Sequence, residues 1–138
     1  MDMKLSKKQS LTEEFYSSIG KLFYAVAASD KVVRAEEIRT LKELVKEKWV
    51  PVDNATDKYG TDEAYKIEIA FDWLQENEPE AAWAFNEFEE YKKEHQKAFT
   101  PEINQLIWET ADAIAASFSG KNKSELIMLS KLKILLTH

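Results

Sequence analysis

Apolar side chains recur every three or four residues along almost the whole chain, and this spacing constrains the fold more than any other feature of the sequence. It is the spacing of amphipathic helices. The clearest stripe runs along the first predicted helix and contains Leu11, Phe15, Ile19, Leu22 and Val26. Runs that favour a strand are short, and Pro51 interrupts one of them. The spacing therefore predicts an all-α fold, a single-domain bundle of about six helices.

Capping signals predict where these helices begin and end. Ser10 with Glu13 is typical of a capping box that opens the first helix, and Pro51 predicts the end of a second helix that begins near Ala35. Later starts are predicted at Thr61, in the segment 77–80, at Thr100 with Pro101, and at Asn122 with Glu125. The third helix has a broad apolar surface and is expected to be the central one. We expect residues 1–10 to be a flexible segment and residues 11–138 to be one helical domain.

Composition and charge narrow the class of function. The chain has no cysteine, which excludes a disulfide scaffold and a cysteine nucleophile. The net charge is −6, and residues 53–94 hold 13 acidic and 4 basic residues. Such a surface repels phosphate backbones, so we expect no nucleic-acid partner; it is either a solvated face or a surface for a basic partner protein. No apolar run reaches membrane-spanning length, and we expect a cytoplasmic protein. The oligomeric state stays open.

Two segments that lie 88 positions apart resemble each other and predict an internal duplication. Each has the form of a helix that ends in small residues, a short turn and a new amphipathic helix. The matched residues are Ala27, Ala28, Ser29, Glu37, Leu41 and Leu44 in the first segment and Ala115, Ala116, Ser117, Glu125, Leu129 and Leu132 in the second. The segments differ where Asp30 corresponds to Phe118. The pattern predicts two related helical pairs.

Two carboxylates of the first segment are predicted to point inward. Asp30 extends the apolar stripe of the first helix, and Glu37 precedes Leu41 on the stripe of the second. A carboxylate that faces a core must be hydrogen-bonded, paired, protonated or bound to a cation. Two readings stay open: Asp30 accepts backbone hydrogen bonds in the turn while Glu37 pairs with a basic residue, or the two acids form a cation or ligand site.

The segment from Ala25 to Ile38, with Asp30 seven positions before Glu37, resembles the TerB-like tellurite-resistance domain. The resemblance covers about residues 22–45 and, more weakly, 114–136. It implies an all-helical domain of two related helical pairs with acidic residues that bind metal, and a stress-response or scaffold role. Carried onto this chain, it implies Asp30, Glu37 and Glu125 as metal ligands. Phe118 replaces the second Asp of the family pattern, and Lys31 stands where the pattern has Gly.

The resemblance and the residue types together predict a non-enzymatic binding or scaffold protein with a weak divalent-cation site. Oxygen ligands without His or Cys favour calcium or magnesium. His95 has no second His or nucleophile spaced near it and is predicted to lie at the edge of the core. The oxygen-rich segment 53–63 lacks the spacing of a calcium loop and is predicted to be a plain loop. The alternative is a small-ligand carrier or enzyme with an aromatic-lined pocket beside Asp30 and Glu37.

Overall fold

The computed structural model describes the backbone of residues 2–52, 63–117 and 120–137, and the side chains of the same ranges from residue 13 onward. Six α-helices form a bundle, and no strand occurs in the described ranges. The predicted all-α fold with about six helices is confirmed. The helices are α1 (Asp2–Ala27), α2 (Ala35–Leu44), α3 (Lys66–Asn77), α4 (Ala81–Glu94), α5 (Pro101–Ala116) and α6 (Lys123–Leu136).

The central helix is α1, which packs on α3, α4, α5 and α6. Its second half is buried almost without interruption, with Ile19, Leu22 and Phe23 fully inaccessible. A Cβ atom on Gly20 would lie 2.6 Å from the carbonyl oxygen of Ile67, so the missing side chain is what lets α1 and α3 approach so closely.

The prediction that the third helix is central was wrong. Only one side of α3 faces α1; Ile69 and Trp73, on the other side, are 59% and 58% exposed. Trp83 on α4 is also exposed, so two of the four tryptophans of the chain lie at the surface. The spacing of apolar residues along the sequence does not distinguish a helix that is buried on all sides from a helix with an exposed apolar face.

Two helix boundaries differ from the prediction. The first helix begins at Asp2 and not at Ser10, and it therefore includes nearly all of the segment expected to be flexible. The intervening residues are mostly Lys, Gln and Leu, which are good helix formers, and a Ser is tolerated inside a helix. After α2 the backbone continues as a π-helix, Val45–Trp49, and stays helical to residue 52. The wider π turn accommodates Pro51, which was predicted to end the helix.

The other starts vary in accuracy. The predicted caps of α5 and α6 are confirmed: Thr100 Oγ1 accepts a hydrogen bond from the amide of Ile103, and Asn122 caps α6. The helix expected to restart at Asn77 begins instead at Ala81, because Glu78 adopts the left-handed conformation that ends α3. The predicted cap at Thr61 and the predicted loop at 53–63 fall mainly on residues 53–62, outside the described ranges.

The helical pairs α1–α2 and α5–α6 repeat the same local hydrogen bonds at the 88-position shift. The Ser29 hydroxyl donates to the carbonyl of Val26 at 2.9 Å, and the Ser117 hydroxyl donates to the carbonyl of Ile114 at 2.7 Å. Each hydroxyl thus bonds three residues back, at the end of the first helix of its pair. The two pairs thus share this local hydrogen bond, and their duplication stays a prediction.

Candidate functional site

Asp30 lies in the turn between α1 and α2 and holds three hydrogen-bond donors. Its Oδ1 accepts from the backbone amide of Val32 at 3.1 Å. Its Oδ2 accepts from Arg34 Nη1 at 3.0 Å and from Asn122 Nδ2 at 2.6 Å. Burial alone would raise the pKa of Asp30, but these donors together hold it below its ordinary value. Asp30 is therefore an ionised carboxylate that joins the first helical pair to the start of α6.

Glu37 and Glu125 occupy equivalent places at the beginnings of α2 and α6. An oxygen of Glu37 accepts the backbone amide of Arg34 at 2.8 Å, and an oxygen of Glu125 accepts the backbone amide of Asn122 at 3.0 Å. Asn122 completes a capping box, since its side-chain oxygen accepts the amide of Glu125 at 2.9 Å. Arg34 has no side-chain acceptor and cannot return the bond. Each glutamate is thus fixed by its own helix start.

The two glutamates meet in the interior. Glu37 is 0% exposed and Glu125 is 1% exposed. The carboxyl of Glu125 lies within hydrogen-bonding reach of Glu37, and burial together with this neighbour raises the pKa of Glu37 to about 8, against the lowering effect of Arg34. Two touching carboxylates cannot both be ionised at little cost, so the pair shares one proton at neutral pH.

One oxygen of this pair has no donor. Oε2 of Glu37 is inaccessible to water and accepts no hydrogen bond from any described group. A buried acceptor without a donor is costly, and a proton shared with Glu125 removes that cost. The structure therefore shows two buried carboxyl groups in contact, one of which has an oxygen without a hydrogen-bond donor.

The predicted metal ligands are joined by contacts between the two helical pairs, whereas the sequence predicted a site formed by Asp30 and Glu37 of the first pair. Asp30 bonds to Asn122, and Glu37 meets Glu125. Asp30 already holds the Arg34 guanidinium, so a metal ion there would have to displace a cation. No three His, Cys, Asp or Glu side chains of the described ranges are arranged as ligands of one metal ion. Phe118, at the second Asp position, lies outside those ranges. Of the three predicted metal ligands, Glu37 and Glu125 are the two that are not paired with a basic side chain in this way.

Sequence reasoning missed Arg34 and the link from Asn122 to Asp30. A signal for both was present: the 88-position shift that relates Glu37 to Glu125 also relates Arg34 to Asn122. The spacing of four between Asp30 and Arg34 also suits an ion pair, although it spans a turn here and not a helix. The close approach of the two helical pairs could not be predicted from the sequence.

Two clefts of the described surface include neither of these acids, although the first is lined by Ala28, Lys31 and Val33, which flank Asp30 in the chain. One, of about 320 Å³, is lined by Tyr24, Lys31, Glu78 and neighbouring residues. Another, of about 380 Å³, has a largely acidic wall that consists of Glu13, Glu14, Glu87, Glu90 and Glu94. Neither includes Asp30 or Glu37, and each contains a single tyrosine as its aromatic residue. Neither of these two clefts is lined mainly by aromatic residues, and the alternative of an aromatic-lined pocket beside the acids stays a prediction.

His95 lies at the edge of the core, as predicted. Its ring stacks on the ring of Tyr91, with the two ring centroids 4.0 Å apart, and its Nδ1 is 3.0 Å from the backbone oxygen of Tyr91. The half-buried ring of His95 is thus held by both contacts with Tyr91.

Comparison with protein-family models, with curated proteins and with solved structures finds no match to this chain. None of the described helices combines the length and apolar character that a membrane span requires.

Proposed function

We propose that this protein is a non-enzymatic helical binding or scaffold domain, similar to TerB-like domains and with a role in stress response. Its acidic middle region, residues 53–94, serves as the surface for a protein partner. Its internal site is the Glu37–Glu125 pair, which holds one positive charge between the two helical pairs. The observation that supports this site is the buried Oε2 of Glu37, which has no donor although the side chain of Glu37 meets the Glu125 carboxyl.

The identity of that positive charge depends on pH. Below a pKa of about 8 for Glu37 the pair holds a proton. Above it, Glu37 is ionised beside the Glu125 carboxyl, and a divalent cation that prefers oxygen ligands, calcium or magnesium, balances the negative charge. Two protein ligands are few, and both the Arg34 guanidinium and the positive ends of α2 and α6 lie nearby. The cation site is therefore weak, and its remaining ligands are backbone carbonyl groups or water molecules that enter with the ion.

Thermal unfolding at two pH values tests this proposal. Calcium or magnesium at millimolar concentration should raise the melting temperature at pH 9 and have little effect at pH 6, where the proton occupies the pair. Glu125→Gln should remove the cation effect because it removes one of the two ligands. Asp30→Asn should retain it, since Asp30 belongs to the neighbouring Arg34–Asn122 network.

Glu43→Gln is the matched control, because Glu43 is an exposed glutamate on the same helix as Glu37. It should leave the cation effect unchanged. A melting temperature that ignores both cations at pH 9 would refute the cation site. An effect that survives Glu125→Gln but not Asp30→Asn would place the site at Asp30 instead.

A further inference from the structure

The exposed apolar side chains are concentrated on two helices. Seven large apolar residues are exposed in the described ranges, and five of them belong to α3 or α6: Ile69, Trp73, Leu126, Ile127 and Ile134. Exposed apolar side chains grouped on one side of a helix are typical of a surface on which another molecule packs. Both helices already bury their opposite sides in the bundle, so these residues form two outward faces.

The outward face of α6 is apolar and basic. We call it the α6 ridge, and it consists of Lys123, Leu126, Ile127, Lys131, Lys133 and Ile134. At 100° per residue, Ile127 and Ile134 lie on one line, with Lys131 and Lys133 on opposite sides of it. The ammonium of Lys131 stands 4.7 Å from the ring centre of Phe85, and that of Lys133 5.8 Å from the ring centre of Trp108. The only acid of α6, Glu125, is buried, so the ridge carries positive charge alone.

The outward face of α3 is apolar and acidic. We call it the α3 ridge, and it consists of Ile69, Asp72, Trp73 and Glu76, all exposed. Lys42 is 3.7 Å from Asp72, but both side chains are about half exposed, so this ion pair is weak. Lys66 lies on the same side at the start of α3, so the negative charge of the face belongs to its second half, where Asp72 and Glu76 lie. The ridge lies within the acidic middle region, residues 53–94.

We propose that the α6 ridge of one copy of this protein packs against the α3 ridge of a second copy. Each ridge is the exposed side of one helix and carries a row of apolar side chains. The charged side chains that flank the two rows have opposite signs. Pairing of α6 with α6 would bring lysines together, and pairing of α3 with α3 would bring acids together. The observations therefore favour a contact between unlike faces over a symmetric dimer.

In this contact the protein partner of the acidic region is a second copy of the same chain. The inference therefore rests on the proposed scaffold function, and it is independent of the proposed cation site. A contact between unlike faces leaves one ridge free at each end and extends into a chain or a ring. Each face is a single helix, which is below the size of a standard interface, so association is weak and requires high protein concentration.

Sedimentation equilibrium over about 10 µM to 1 mM tests the contact with two single-face variants. Trp73→Ser disables the α3 ridge and Ile127→Ser disables the α6 ridge. Each alone should weaken association, by about 30-fold for the tryptophan, which is the usual minimum for an interface hot spot. An equimolar mixture of the two should form a dimer that grows no further, because each copy keeps one intact ridge. Trp83→Ser, an exposed tryptophan outside both ridges, should behave as the wild type.

Charge variants provide a second measurement on sites that cannot disturb packing. Lys123→Glu and Glu76→Lys each weaken association alone, and their mixture restores it; raising the salt concentration weakens association of the wild type. A wild type that stays monomeric to 1 mM would overturn the proposal. Mixtures that associate no better than the separate variants would also overturn it, and would show either a symmetric contact or none. Loss of cation binding in the earlier experiment has no bearing on these results.

Discussion

The shared proton of Glu37 and Glu125 makes the stability of the protein depend on pH in a direction opposite to that of an ordinary ion-paired carboxylate. Unfolded, Glu37 has its ordinary pKa of 4.5; folded, burial and Glu125 raise the pKa to about 8. Between these values the unfolded chain releases a proton that the folded chain keeps. The stability contributed by the protonated pair is therefore complete below pH 4.5 and is lost as the pH rises through 8.

The magnitude follows from linkage. A difference of one pKa unit corresponds to about 1.4 kcal/mol, so the full effect is on the order of 5 kcal/mol. This is comparable with the entire free energy of unfolding of a marginal domain, about 5 kcal/mol. The charged groups that face Glu37 are the Arg34 guanidinium and the Glu125 carboxyl, with Asp30 held by Arg34 beside them. The pKa of about 8 for Glu37 results from burial and Glu125, which raise it, and from Arg34, which lowers it.

Glu37→Gln isolates the effect, because the amide keeps an acceptor for the Arg34 backbone and offers a permanent donor to Glu125. Urea unfolding from pH 5 to pH 9 should show the wild type losing several kcal/mol more than this variant. At pH 9 the variant should be the more stable protein. Glu43→Gln, on the same helix but exposed, should follow the wild type. Parallel curves for the wild type and Glu37→Gln, or a variant that is less stable at pH 9, would refute the shared proton.

Two further predictions concern packing and the link between the helical pairs. Gly20→Ala should lower the free energy of unfolding by about 1–3 kcal/mol in a denaturant titration, although alanine favours helices, because its Cβ would meet the α3 backbone; an equal or higher stability would contradict the close approach. Asp30→Ala and Asn122→Ala should show a coupling energy of about 1–2 kcal/mol in a double-mutant cycle, since their side chains bond at 2.6 Å. Additive losses would mean that the bond between the two turns contributes nothing to stability.

The sequence by itself determined the local structure. The all-α class follows from the spacing of apolar residues, and the starts of α5 and α6 follow from Thr100 with Pro101 and from Asn122 with Glu125. These features depend on residues within one or two helical turns, so they are visible along the chain. The inward direction of Glu37 was predictable for the same reason, because it shares a stripe with Leu41.

Only the tertiary structure decided which helix is central and which acids meet. The spacing of α3 looks the same whether its far side is covered or not, and the exposure of Trp73 depends on where the other helices lie. Asp30 and Glu37 are seven positions apart in the sequence, yet Asp30 bonds to Asn122, and Glu37 meets Glu125. Burial and contact between distant segments set the pKa of a carboxyl, and both arise only when the helical pairs pack together.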